Sequence, residues 1–429
     1  MTPSAPRRAL SSLPAANRPL VVIVAAGFLV RLSWILYADP QPISDWHFYK
    51  ELAFGLLDHG QLGYPEKTTF YLPGQPLYLA VWAVVSRSDR WLAVGMATLS
   101  TATIPLIHAV GTRVLRSRGA ALAAAGMFAG LPLFVFFSPV LATEHLFVAL
   151  VMITLLLLLR WNEGAGRRHL FAAGAVLGMA MLTRGEGVFY LPALLLFVFL
   201  GSPSRTWRQS LRAVPLLIAG VFLVVVPWQV RNASVEDVGS GLSTGAGINF
   251  YFAHNDTGIY GWYPEGQPFE GLSNREANRL GWQLAWEYLG ENPLRIFENV
   301  PFGTLQLLAN PEYALYWSTH YVAGNGDRND PSLIVRREVF GIRLLEEALR
   351  FSAATTLVMG ALSVLALRRW TREMWTLILP LIGSIWFLRT AIYWAKPRYR
   401  YTGDVLILFF AALVGWILAR RPPEPVADE

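Results

Sequence analysis

The chain of 429 residues contains no cysteine, which excludes disulfides, thiolate metal sites and cysteine nucleophiles. Charge is scarce: 15% of residues are Asp, Glu, Lys or Arg, against roughly 25% in soluble domains. There is no internal repeat or low-complexity tract, and no Gly-rich phosphate loop of the nucleotide-binding kind. No small-residue cleavage site follows the first apolar run, 21–37, which therefore reads as a retained span rather than a cleaved leader. Apolar residues are what the chain has in excess. It is 54% hydrophobic, its mean hydropathy is +0.39, and its sixteen Trp are of the type that gathers at membrane–water interfaces. Composition thus predicts an all-α polytopic membrane protein.

The arginines set the expected topology. They cluster at Arg7/Arg8/Arg18, Arg113/Arg116/Arg118, Arg160/Arg167/Arg168, Arg205/Arg208/Arg212, Arg368/Arg369/Arg372 and Arg420/Arg421, between apolar runs. The net charge of +7 is therefore a positive-inside signal and not a basic face for nucleic acid. With all six clusters in the cytoplasm, ten spans pair off, near 20–38, 91–112, 119–137, 146–160, 170–184, 187–200, 213–229, 350–367, 374–394 and 402–419. Both termini then lie inside, with tails at 1–18 and 421–429. The apolar run at 73–86 holds only about ten apolar residues in a row, roughly 15 Å of helix. It is too short to span and would invert every later cluster. It is expected at the outer interface within an extracytoplasmic loop, 39–90, made of two interfacial helices. A second outer segment, 230–349, carries "GINFYFAHNDTGIYGWYPEGQPFEGLS" and then a helix from Arg275 to about Tyr288.

"SDWHFYKELAFGLLDHG" follows the first span, and its Asp45, Tyr49 and Ala53 share a helical face. Ser44 is expected to cap that helix, with Tyr49, Leu52, Ala53, Leu56 and Leu57 toward lipid or the bundle. Asp45 then sits at the outer membrane surface, as a helix-start carboxylate or as a functional acid. On the same topology Arg31, Arg184, Arg231, Arg389, Arg398 and Arg400 share the outer level with Glu144 and Asp404. Intramembrane charges are costly and usually functional. Snorkelling with local ion pairs competes here with an anion site, for which Arg suits bidentate phosphate capture.

These residues carry a resemblance. Asp45-x3-Tyr49-x3-Ala53-x2-Leu56-x3-Gly60 followed by "YLPGQPLYLA" resembles the first outer loop of the GT-C glycosyltransferases, which include protein O-mannosyltransferases and the lipid A aminoarabinose transferase. "SPVLATEHLF", "LTRGEGVFYLP", "VPWQVRN", "NFYFAHNDTG" and "KPRYRYTGD" are similar to their later motifs, in order along nearly the whole chain. Tyr71-Leu72 departs from the family's usual Arg-Pro, which leaves one lid contact in doubt.

The resemblance implies a GT-C fold of about ten transmembrane helices with juxtamembrane helices. A seven-helix module would run over 19–232, with its catalytic loop at 39–90. An extracytoplasmic region, 233–349, and three C-terminal helices, 350–420, would follow. It implies a multi-pass protein of the plasma (inner) membrane whose active site lies outside. The implied reaction is inverting transfer of a sugar from a polyprenyl-phosphate donor to a protein, glycolipid or polysaccharide acceptor. Asp45 would be the general base, with Glu144 a second acid across the site. Arg184, Arg231, Arg398 and Arg400 would bind the donor phosphate and steady the leaving group. Tyr49, Tyr71, Asn249, His254 and Asn255 are further candidate contacts, although a lone loop histidine such as His254 is more often neither ligand nor contact. No nucleotide is needed, and a divalent metal is left open. The rival class is a lipid-linked sugar transporter or flippase, which would tend to show internal repeats and spans broken at the midplane.

Overall fold

A computed structural model of the protein describes residues 17–63, 70–235, 241–258, 260–261, 266–322, 334–337 and 339–419. The predicted tails fall outside the described residues, apart from Asn17 and Arg18. Helix α1 (Arg18–Ala38) is followed by two short helices, α2 (Asp45–His59) and α3 (Gly74–Ala83). Next come α4 (Asp89–Leu115), α5 (Arg118–Gly130), α6 (Pro132–Phe137), α7 (Thr143–Asn162) and α8 (Arg167–Met181). A 3₁₀ turn, Gly185–Tyr190, leads into α9 (Leu191–Leu200) and then α10 (Trp207–Ala233). After the long second loop come α15 (Ile342–Leu362), α16 (Met374–Ile392, partly π-helical), a 3₁₀ turn at Pro397–Arg400 and α17 (Tyr401–Ala419). Each of the ten expected spans falls on one of these helical segments. Among the described residues, seven segments are long and apolar enough to cross a bilayer. The multi-pass membrane reading stands.

The remaining three are shorter, for local reasons. The expected continuous span 119–137 is broken because Pro132 cannot donate to the preceding turn, and Leu131 is extended there (φ −67°, ψ 135°). The break leaves helix-end carbonyls inside the bundle, and Arg31 meets them. Its guanidinium donates to the carbonyls of Ala129 and Phe128, each at 2.9 Å, and to Ser100 Oγ at 3.0 Å. Arg31 is fully buried, a cation set against a helix C-terminus. This pins Arg31 to a structural task inside the bundle. Helix α8 has 15 residues and packs along α10 through small residues. A Cβ at Gly174 would collide with the Leu217 carbonyl, and one at Gly220 with that of Phe171, so the two backbones touch.

Over the bundle, α2 and α3 pack on each other as the pair of short helices expected between spans one and two. Ser44 differs from expectation. It has φ 55° and its side chain makes no capping bond, so α2 begins with a strained residue in place of a cap. The second loop forms α11 (Ala246–Tyr251) and α12 (Asn274–Glu291), the latter opened by a Ser273–Glu276 capping box. Phe250, Phe252, Ala277 and Leu289 build a small second core against Trp394. Beyond the expected helix lie α13 (Arg295–Leu308), α14 (Tyr313–Thr319) and a hairpin of β1 (His320–Val322) with β2 (Ile334–Arg336), Tyr321 opposite Val335. Parts of this loop, including 323–333, lie outside the described residues.

Candidate active site

Two helix starts and two turns converge above the bundle. Asp45 opens α2, Glu144 opens α7, Arg184 and Glu186 sit in the turn after α8, and Arg398 lies in the 3₁₀ turn before α17. A carboxylate in the first turn of a helix is favoured by the helix dipole, which explains why two acids tolerate these positions.

The charges form one continuous series. Arg398 Nη2 donates to Asp45 Oδ2 at 2.7 Å, and Arg398 Nε lies 3.9 Å from Glu144 Oε1. Arg184 Nη1 is 2.7 Å from the same Glu144 oxygen, but its aligned hydrogen bond goes to Thr143 Oγ1, also at 2.7 Å. Thr143 in turn donates to Glu144 Oε2 at 3.2 Å. Arg184 grips Glu186 through Nε at 2.9 Å, and Arg389 Nε reaches the other Glu186 oxygen at 3.1 Å. Three acids face three guanidiniums, so the series is formally neutral. Tyr399 lies in its middle, with Arg389, Arg184 and Arg398 at 4.1, 5.3 and 5.5 Å from its ring centre. Glu144 Oε1 and Arg398 Nε are buried without a hydrogen bond, so capacity is left unspent at the centre.

Exposure separates the three acids. The Asp45 side chain is 34% exposed, whereas Glu144 is 2% and Glu186 11%. Tyr49 and Tyr71 meet edge to face at 5.2 Å beside Asp45. Burial first, then the nearby Asp45 carboxylate, pushes both phenols up, so both stay protonated donors. Lys396 stacks over Trp394 at 4.6 Å, and burial lowers it.

The other expected site residues lie elsewhere. Arg231, at the end of α10, donates to Asn232 and stacks over Trp228. Arg400 points away from Arg398 and is 1% exposed. It bonds Asp404 at 2.9 Å and the Leu307 and Leu308 carbonyls, beside a small pocket lined by Phe134, Ser352 and Thr356. Asn249 accepts from Trp394 Nε1 at 2.7 Å and so touches the series only through Trp394, whose backbone carbonyl accepts from Arg389. His254 is fully buried between the carbonyls of Phe250 and Ala391, and burial lowers its pKa. Asn255 closes a turn on Thr257.

Two members escaped the sequence reading. Glu186, within "LTRGEGVFYLP", is not singled out by the sequence reading, and Arg389 is one of its six outer-level arginines but not one of its four phosphate-binding residues. The usable signal was an acid two residues from Arg184 in an otherwise apolar stretch. As for a metal, Asp45 and Glu144 both face guanidinium groups, and among the described residues no three His, Cys, Asp or Glu side chains cluster to hold one. The donor set does not fit a divalent cation.

The comparisons agree on fold. Residues 74–230 match the family described as dolichyl-phosphate-mannose-protein mannosyltransferase. No curated protein matches the sequence. The oligosaccharyltransferase of Archaeoglobus fulgidus in its apo form aligns at TM-score 0.51 and 14% identity, over 94% of this chain and 50% of its own. The same organism's AglB, in complex with an inhibitory peptide and a dolichol-phosphate, aligns at 0.50 and 12%, over 93% and 50%. ArnT from Cupriavidus metallidurans bound to undecaprenyl phosphate aligns at 0.45 and 17%, over 94% and 77%. The chain spans about half the length of the archaeal enzymes. It resembles the GT-C glycosyltransferases in fold and, over 74–230, in sequence.

Proposed function

From a GT-C fold with this series of charges, we propose that the protein transfers a monosaccharide from a polyprenyl-phosphate donor to an acceptor at the extracytoplasmic face, with inversion. The observation that carries the reading is the difference in exposure among the three acids. Asp45 alone combines a carboxylate, access for an incoming hydroxyl and a guanidinium partner at 2.7 Å. A general base must come within hydrogen-bond reach of the proton it removes.

Asp45 takes the acceptor proton as the oxygen attacks the anomeric carbon from the face opposite the phosphate. The bond to the phosphate oxygen breaks, and Arg398 and Arg184 stabilise the charge left on the lipid phosphate. Glu144, buried, and Glu186, half-buried, hold those guanidiniums in place. Arg398 is shared: as long as it grips Asp45 it blunts the base. A donor phosphate drawing Arg398 away leaves Asp45 free, so donor binds before acceptor. The membrane-embedded lipid, not a nucleotide, brings the sugar.

Proteoliposomes loaded with radiolabelled polyprenyl-phosphate sugar test the reading. Label moving to an acceptor fraction supports it. Label carried across the bilayer still attached to its lipid supports a flippase instead.

A further inference from the structure

Beneath the charge series runs a second chain of polar groups that the transfer reaction does not use. Arg31 Nε donates to Ser100 Oγ at 3.0 Å. Ser100 bonds the Tyr401 hydroxyl, which lies 3.3 Å from His145 Nδ1, and His145 Nε2 is 2.9 Å from the Phe137 carbonyl oxygen. All four side chains are at most 2% exposed. The two ends dictate the direction. A guanidinium only donates and a carbonyl only accepts, so protons run Arg31 to Ser100 to Tyr401 to His145 to Phe137. The arrangement requires a neutral His145 with its proton on Nε2.

The chain joins five elements: α1, α4, α17, the start of α7 and the end of α6. Its last two side chains stand next to the charge series, since His145 follows Glu144 and Tyr401 lies three residues beyond Arg398. Packing makes the same link. The Phe137 ring lies 5.1 Å from His145, 5.4 Å from Tyr401 and 6.3 Å from Trp46, and Arg398 sits 5.5 Å over Trp46.

We infer that Tyr401 and His145 are positioning residues: their hydrogen bond sets the offset between Glu144 and Arg398. The inference rests on the transferase reading for its kinetic part. Displacing reacting groups by about 1 Å costs up to roughly 10²-fold in rate, while the lipid's phosphate remains held by Arg184 and Arg398.

Tyr401→Phe and His145→Gln break the same bond, the first keeping the ring against Phe137 and the second keeping a donor for the carbonyl. Each is expected to lower kcat by about 10- to 100-fold with donor KM within about two-fold, in protein that elutes and melts as folded. The double variant should be no slower than the slower single one, because one bond is lost once. In ¹⁵N-histidine spectra of the detergent-solubilised full chain at neutral pH, the signal absent from His145→Gln should show the Nε2–H tautomer, and Tyr401→Phe should shift its Nδ1. Wild-type kcat in folded Tyr401→Phe, multiplicative losses, or an imidazolium or Nδ1–H signal each overturn the inference. If the wild type transfers no sugar, the transferase reading falls separately, and an Nδ1 unmoved by Tyr401→Phe sinks the chain on its own.

Discussion

Arg398 and Asp45 stand 353 residues apart in sequence and 2.7 Å apart in space. Their contact ties the first loop to the turn before the last helix. One partner is suited to phosphate and the other to a proton, so each can be tested without the other.

Asp45→Asn keeps the shape of the side chain and removes its basicity. A lost helix-start carboxylate costs about 0.3–1 kcal/mol and leaves turnover intact, whereas a lost general base costs about 10²–10⁴-fold. We expect the second outcome, measured as single-turnover transfer with donor prebound. Near wild-type transfer by folded Asp45→Asn returns Asp45 to a structural role.

Arg398→Ala should weaken donor binding by roughly tenfold or more, with Arg398→Lys restoring part of it, because lysine lacks the planar fork. Titration of the folded variants with polyprenyl phosphate reads this directly. Unchanged affinity in the alanine variant takes Arg398 out of the phosphate site.

Arg400 behaves differently. Removing it leaves Asp404 buried without its partner, a loss of about 3–5 kcal/mol. Replacing both, Arg400→Met with Asp404→Leu, should recover most of the melting temperature. If the recovered double variant binds polyprenyl phosphate as the wild type does, Arg400 is a strut; if affinity is lost, it belongs with Arg398.

Glu186→Gln leaves two guanidiniums facing a neutral amide. The fold should lose stability, by about 3 kcal/mol. Affinity for the donor phosphate should rise, since the surplus positive charge has an anion to take. Weaker binding in the folded variant would show that Glu186 aligns Arg184 and Arg389 more than it neutralises them.

Cysteines introduced at Gln61 and Ser88, on either side of α3, should both react with an impermeant maleimide added outside. The chain has no cysteine of its own, so the background is blank. Labelling of Ser88→Cys only after permeabilisation makes α3 a span and reverses every later segment.

The spans were legible because hydropathy and arginine spacing are local signals, and the shortness of 73–86 was enough to single out α3. What was not legible depended on partners distant in sequence. Pro132 announces a break, but whether the freed carbonyls are tolerable depends on Arg31, about a hundred residues earlier. Ser44 reads as a cap by type, yet its backbone is held at φ 55° by the turn from α1 into α2. Helix α13 was missed because Pro301 lies inside it and one face is exposed apolar surface, Phe297, Phe302 and Leu305, which in sequence looks like loop mixed with core. At the site, Asp45, Glu144, Arg184 and Arg398 were found as charges in greasy surroundings. That Arg400 turns from Arg398 toward Asp404 needed the 3₁₀ geometry of 397–400.

Helix α8 has 15 residues, which is about 22 Å of rise, while bilayer hydrocarbon is about 30 Å thick. With Arg167 and Arg168 anchored at one face, the turn bearing Arg184 stops short of the other. A bilayer accommodates such a mismatch by thinning, at a fraction of a kcal/mol per Å. On the proposed function and topology, the donor's head group and this turn meet at a dimple in the outer leaflet. On the proposed function membrane thickness becomes a kinetic variable: longer acyl chains should slow loading of the lipid donor while leaving the acceptor step untouched.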